Sequence, residues 1–105
     1  MKFVLTKKDV IALNEEFEEG VLSNEPSLDF SLSYAKKTEN WTKALAFLVR
    51  AILLDHVFED GNKRTAAAVI MTYLDINNMS YNKDKIGQII IRILKKKIWD
   101  NFLLK

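Results

Sequence analysis

Residues 41–76, WTKALAFLVRAILLDHVFEDGNKRTAAAVIMTYLDI, carry two helical patterns around one break in periodicity. Trp41, Ala44, Leu45, Leu48, Val49 and Ile52 recur at helical spacing behind Asn40, a good N-cap, so a helix is predicted over 41–55. Phe47, Leu53 and Leu54 make its other side apolar too, which places this helix centrally and buried. A second helix is predicted over 62–76. Its run Ala66, Ala67, Ala68 favours helix and lets a neighbour approach closely, and Asn77, Asn78 and Ser80 end it. Between the two, residues 56–61 form a loop held at both ends by buried elements.

Outward from this pair the chain stays helical. Thr6 caps a first helix, with Asp9 three residues on as the other half of a capping box. Val10, Leu13 and Phe17 give its apolar stripe, Asn14, Glu15, Glu16, Glu18 and Glu19 face outward, and Gly20 is the expected stop. Residues 21–26 read as a loop and 27–37 as a short helix burying Leu28, Leu32 and Ala35. Asn82 caps a fifth helix over 83–95 with Ile86, Ile89, Ile90 and Ile93 as its stripe. The three successive isoleucines also suit a buried strand, but the chain offers that strand no partner. A final short helix over 98–104 is predicted to dock through Trp99, Phe102 and Leu103. The expected fold is all-α, a single-domain bundle over residues 1–105 with the 56–61 loop between its two central helices.

Composition agrees and excludes several classes. With 3 glycines and 1 proline, a turn-rich β protein is disfavoured. The chain has no cysteine, so disulfides and thiolate metal sites are excluded. A net charge of +2 is too small to imply nucleic acid. The N-terminal MKFVLTKKDV has no sustained apolar run and no cleavage-like site, and the apolar stretch 44–54 is interrupted by Arg50 and too short for a bilayer. A soluble, cytoplasmic domain is expected.

The loop HVFEDGNKR, residues 56–64, assembles a particular chemistry. The helix that follows presents free N–H groups and the positive end of its dipole, an anion site. Gly61 lets the backbone turn sharply or approach a ligand. Asn62 can cap that helix or donate its side-chain amide to a phosphate oxygen. Lys63 and Arg64 add charge at the same end, and Arg64 can grip a phosphate with two parallel N–H bonds. Both cations oppose the helix dipole at a cost of a few tenths to about 1 kcal/mol each, which a bound anion would relieve. Asp60 supplies a hard oxygen ligand suited to Mg2+, which usually takes one or two carboxylates beside substrate phosphates. His56 is the only histidine, at the loop's entrance, and histidine's titration near neutrality suits a general base. Phe58 suits the core better than a substrate contact. Together these are the parts needed to move a phosphorus centre onto a hydroxyl.

The same nine residues resemble the signature of the Fic/Doc family, H-x-F-x-[D/E]-G-N-x-R, which fixes five residue types and restricts a sixth. Over most of its length the chain looks like the short, death-on-curing (Doc) branch. The resemblance implies that His56 deprotonates a target hydroxyl, Phe58 anchors the loop in the core, Asp60 holds Mg2+, Gly61 and Asn62 form an anion hole, and Arg64 binds nucleotide phosphate. Most Fic proteins carry glycine where Lys63 stands and transfer AMP from ATP to protein side chains. Doc-like toxins often carry lysine there, and Doc phosphorylates elongation factor Tu. Lys63 therefore tilts the expected reaction toward phosphoryl transfer from ATP to a target protein, an elongation factor Tu-like one included, with AMP transfer as the alternative. A non-catalytic nucleotide- or partner-binding module is the alternative of another class.

The chain departs from the family pattern in three places. Val57 replaces the usual proline, which affects loop stiffness. The region before Trp41 is short, so the hairpin flap that positions targets in larger Fic proteins is expected to be reduced. The inhibitory pattern S/T-x-x-x-E-G/N is not matched: Glu19-Gly20 has Glu15 where Ser or Thr is required. Restraint by an antitoxin protein in trans is therefore expected.

Blander assignments stand beside these. Glu59 is a solvated carboxylate that can exchange roles with Asp60. Asp55 suits a helix-end surface charge better than a second base, and Arg50 a snorkelling surface arginine better than a phosphate ligand. Arg92 with Lys95, Lys96 and Lys97 reads as a solvated face. Trp41 and Trp99 read as packing residues.

Overall fold

The computed structural model describes residues 4–103, and side chains through Lys96. It contains five helices: α1 (Lys7–Glu15), α2 (Glu25–Lys37), α3 (Trp41–Leu54), α4 (Asn62–Ile76) and α5 (Lys83–Leu103). No strand forms among the described residues, so the all-α expectation holds. Helix α3 packs against both α2 and α4, α1 crosses α4, and α5 lies on α4 and α3. No described helix is long and apolar enough to cross a membrane.

The core is built on the predicted faces. Leu48 and Ile52 of α3, Val69 and Tyr73 of α4, Leu28 of α2 and Val10 of α1 are buried in one cluster. Burial pushes the Tyr73 hydroxyl above its usual pKa, and a hydrogen bond with the Leu5 backbone works against that shift. Three of the caps are those the sequence suggested. Thr6 and Asp9 form the reciprocal capping box, Asn40 caps α3 at Thr42 and Lys43, and Asn82 caps α5 at Asp84 and Lys85.

Several boundaries and faces differ from expectation. Helix α1 stops at Glu15 rather than near Gly20, followed by a turn in which Phe17 N–H and Glu18 N–H both donate to the Asn14 carbonyl. Asn14 is buried rather than outward-facing. Helix α2 begins at Glu25, two residues before the predicted start, since Asn24 caps it and Pro26 falls in its first turn, where a missing N–H costs nothing. Phe47 and Ile89, both assigned to apolar faces, stay substantially exposed at 38% and 46%. Helix α5 runs unbroken through the expected gap between 95 and 98. No glycine, proline or cap residue stands there, and three lysines propagate helix well. It is one helix where two were predicted. The docking assigned to Trp99, Phe102 and Leu103 lies outside the described side chains, and Leu104 outside the described residues.

The packing orders the positions by cost. Leu48→Ala, at a fully buried position, is expected to lower unfolding free energy by about 2–5 kcal/mol. Phe47→Ala is expected to cost about 1 kcal/mol or less. Urea denaturation of the two variants measures both values.

Candidate active site

The loop between α3 and α4 is pinned along its length. Val57 and Phe58 are buried, at 0% and 1% exposure. The turn after α1 runs antiparallel beside them: Ser23 and Asn24 N–H donate to the Val57 carbonyl at 2.7 and 3.1 Å, and Glu59 N–H donates to the Val21 carbonyl at 3.0 Å. The expected loop at 21–26 thus includes a short main-chain pairing that braces the motif. Asn62 accepts from Phe58 N–H at 3.0 Å and donates to the Phe58 carbonyl at 2.8 Å. Its side chain does not cap α4; it clips the loop, using its acceptor and one of its two amide donors on Phe58.

Asn14 completes the frame, and the sequence reading missed it. Its Nδ2 donates to the Asp60 carbonyl and to Thr65 Oγ1, each at 3.0 Å, and its Oδ1 accepts from Gly20 N–H at 2.8 Å. Thr65, also fully buried, donates a hydrogen bond from its hydroxyl to the Gly61 carbonyl at 2.8 Å. The available signal was phase: residue 14 follows Val10 by four and precedes Phe17 by three, which puts it on the apolar stripe. Gly61 sits at φ +77°, and a Cβ there would lie 2.6 Å from Glu18 Cγ and 3.0 Å from the Phe17 ring. Both the backbone conformation and the crowding require glycine.

The groups left free face one cleft of about 450 Å³, within the usual range for ligand sites. His56, Asp60, Gly61, Asn62, Lys63 and Arg64 all line it, so every predicted site residue except the buried anchor Phe58 is brought together. Gly61 occupies the N-cap position of α4 with no side-chain cap, leaving the N–H groups of residues 62–64 without an acceptor among the described residues. The Arg64 guanidinium lies 5.8 Å from the centre of the Phe17 ring. His56 is exposed, makes no hydrogen bond among the described residues, and sits at φ +53°, a left-handed conformation that disfavours side chains. Asp60 and Glu59 are both exposed carboxylates lining the cleft, so geometry alone leaves their exchange open. No group of three or more acidic, His or Cys residues forms a metal cage among the described residues. A Mg2+ that keeps most of its ligands from phosphate and water needs none. The cleft's other contributors were not legible in the motif: Leu53 and Leu94 give it an apolar wall, and Glu18 approaches from the turn after α1.

These contacts set three expectations. Asn14→Leu leaves buried partners unsatisfied and is expected to cost about 2–4 kcal/mol, measured by urea denaturation. Gly61→Ala is expected to displace Glu18 and Phe17 and cost about 1–3 kcal/mol, visible as shifted amide resonances at both residues. His56→Gly removes backbone strain and is expected to raise stability by about 1 kcal/mol in thermal melts.

Comparison with curated proteins and with solved structures found no match. A family model, that of the Fic/DOC family, matches residues 10–74, more than half of the chain. The matched segment spans the buried Asn14, the bracing turn, α3, the loop and nearly all of α4. The protein belongs to the Fic/DOC family.

Proposed function

We propose that the protein is a Doc-like toxin enzyme that transfers the γ-phosphoryl group of ATP to a hydroxyl of a target protein. Members of the family are in general nucleotidyl or phosphoryl transferases. The observation that carries the finer reading is the single cleft in which an unencumbered His56 faces an uncapped helix end bearing Lys63 and Arg64. His56 takes the proton of the target hydroxyl. The hydroxyl oxygen then bonds to the γ-phosphorus, the bond to the β–γ bridging oxygen breaks, and ADP leaves. The N–H groups at the start of α4 and the Arg64 guanidinium stabilise charge on the phosphoryl oxygens. Asp60, with Glu59 beside it, suits Mg2+ held jointly with the phosphates, and that ion would neutralise phosphate charge.

Lys63 is the residue that favours phosphoryl over AMP transfer, because a cation replaces glycine within the phosphate-binding turn. In the second reading the hydroxyl attacks the α-phosphorus, pyrophosphate leaves, and the target gains AMP. A translation factor of the elongation factor Tu kind is the proposed target, in the cytoplasm, with an antitoxin protein restraining the enzyme in trans. A silent nucleotide- or partner-binding role is the remaining alternative.

Intact-mass analysis of translation factors incubated with the protein, Mg2+ and ATP tests this. A phosphate-sized gain is expected, absent with His56→Ala and reduced about 10²–10³-fold with Arg64→Ala. An AMP-sized gain would move the assignment to adenylylation. Nucleotide binding without any gain across the panel would support the silent role.

A further inference from the structure

A second cleft, of about 320 Å³, lies between α2 and α3 and shares no residue with the first. Its rim is aromatic. Phe30 is 65% exposed, Phe47 is partly exposed, and the ring centres of Phe30 and Tyr34 lie 6.4 and 4.2 Å from that of Phe47. Large aromatic rings clustered around a pocket, rather than scattered singly, are the anchor sites of protein interfaces. Lys43 and Arg50 stand on α3 one turn either side of Phe47, and Arg50 lines the cleft. Neither has an ion-pair partner among the described residues, whereas Glu25 and Asp29 of α2 are held by Lys7 at 2.5 and 2.7 Å. The acid inside the cleft, Asp55, accepts a 2.6 Å hydrogen bond from the Ser27 hydroxyl.

We infer that this cleft docks a segment of a partner protein that inserts a bulky apolar side chain between Phe30 and Phe47 and places carboxylates against Arg50 and Lys43. The charge arrangement selects this occupant. A second copy of the chain, packed face to face about a two-fold axis, would offer from the same cleft one carboxylate, Asp55, to two cations, and that carboxylate already accepts from Ser27. A single-stranded nucleic acid would gain from the exposed rings, but only these two cations lie on α3 beside them. The inference does not depend on the catalytic assignment.

The probe is the peptide acetyl-DEFLED-amide, titrated into the isotopically labelled full chain and followed by NMR. Saturable shifts are expected at Phe30, Phe47 and Arg50. The apolar-deleted acetyl-DEAAED-amide and the neutral acetyl-NQFLQN-amide are each expected to bind about tenfold or more weakly, the size of one lost anchor or charge pair. Arg50→Gln is expected to erase the preference for the acidic over the neutral peptide. Phe30→Ala, at a mostly exposed position that leaves the core intact, is expected to weaken both. The inference is overturned by the absence of saturable shifts up to about 1 mM, by equal binding of all three peptides, or by stronger shifts at these residues with an oligothymidylate. It is also overturned by concentration-dependent dimers in sedimentation that Phe30→Ser abolishes.

Discussion

One buried side-chain amide holds the site together. Asn14 uses both its donors and its acceptor, on the Asp60 carbonyl, the Thr65 hydroxyl and the Gly20 N–H. Those three partners belong to the motif loop, to α4 and to the turn after α1, so the amide makes one body of three segments. Thr65 relays the contact to the Gly61 carbonyl, and Gly61 has no room for a Cβ against Glu18 and Phe17. Asn62 then closes on Phe58 from the other side. Main-chain groups of Val57, Phe58, Glu59, Asp60 and Gly61 are bonded to Asn14, Asn62, Thr65 and residues 21–24, while the side chains of His56, Asp60, Lys63 and Arg64 line the cleft, the Arg64 guanidinium lying over the Phe17 ring. That division suits a site that must hold its geometry while its working groups meet a ligand.

The free groups sit where local rules are broken. His56 occupies a left-handed backbone conformation, α4 starts without a side-chain cap, and two cations stand at its positive end. The left-handed His56 backbone and the two cations at the helix end cost stability, offset in part where the Arg64 guanidinium lies over the Phe17 ring. The core on α3 offsets these costs: Leu48, Ile52 and Leu53 are buried immediately before the loop. An anion at the start of α4 would satisfy the unbonded N–H groups and the two cations together. Features that are unfavourable taken singly would be mutually consistent with an anion bound there.

How much was legible follows from sequence separation. Helices α3 and α4 were readable nearly to the residue, because an Asn cap, unbroken periodicity and a glycine mark their ends locally. The motif was readable because its parts lie within nine contiguous residues. Its supports were not. Asn14 acts across 46 and 51 positions, and Glu18 and Leu94 reach the cleft only through the packing of α1 and α5. A polar residue on an apolar stripe was the one local clue, and assigning Asn14 to the outer face by residue type overrode its phase. The α5 error was the converse: a break was expected from a change in composition where no residue that stops a helix is present.

The connection between α2 and α3 bears on how a target reaches His56. It comprises only residues 38–40, and the Asn40 side chain is committed to capping α3. Three residues cannot extend as a hairpin over the cleft, so a target segment cannot be aligned by strand pairing from that point. A rigid helix face could align a target with no loop ordering on binding. The α2–α3 cleft is such a face, and its last lining residue, Asp55, immediately precedes His56. A segment anchored among Phe30, Phe47 and Arg50 would therefore lie along the helix that leads into His56. On the proposed reading, recognition and chemistry would meet along the C-terminal half of one buried helix, with no separate flap.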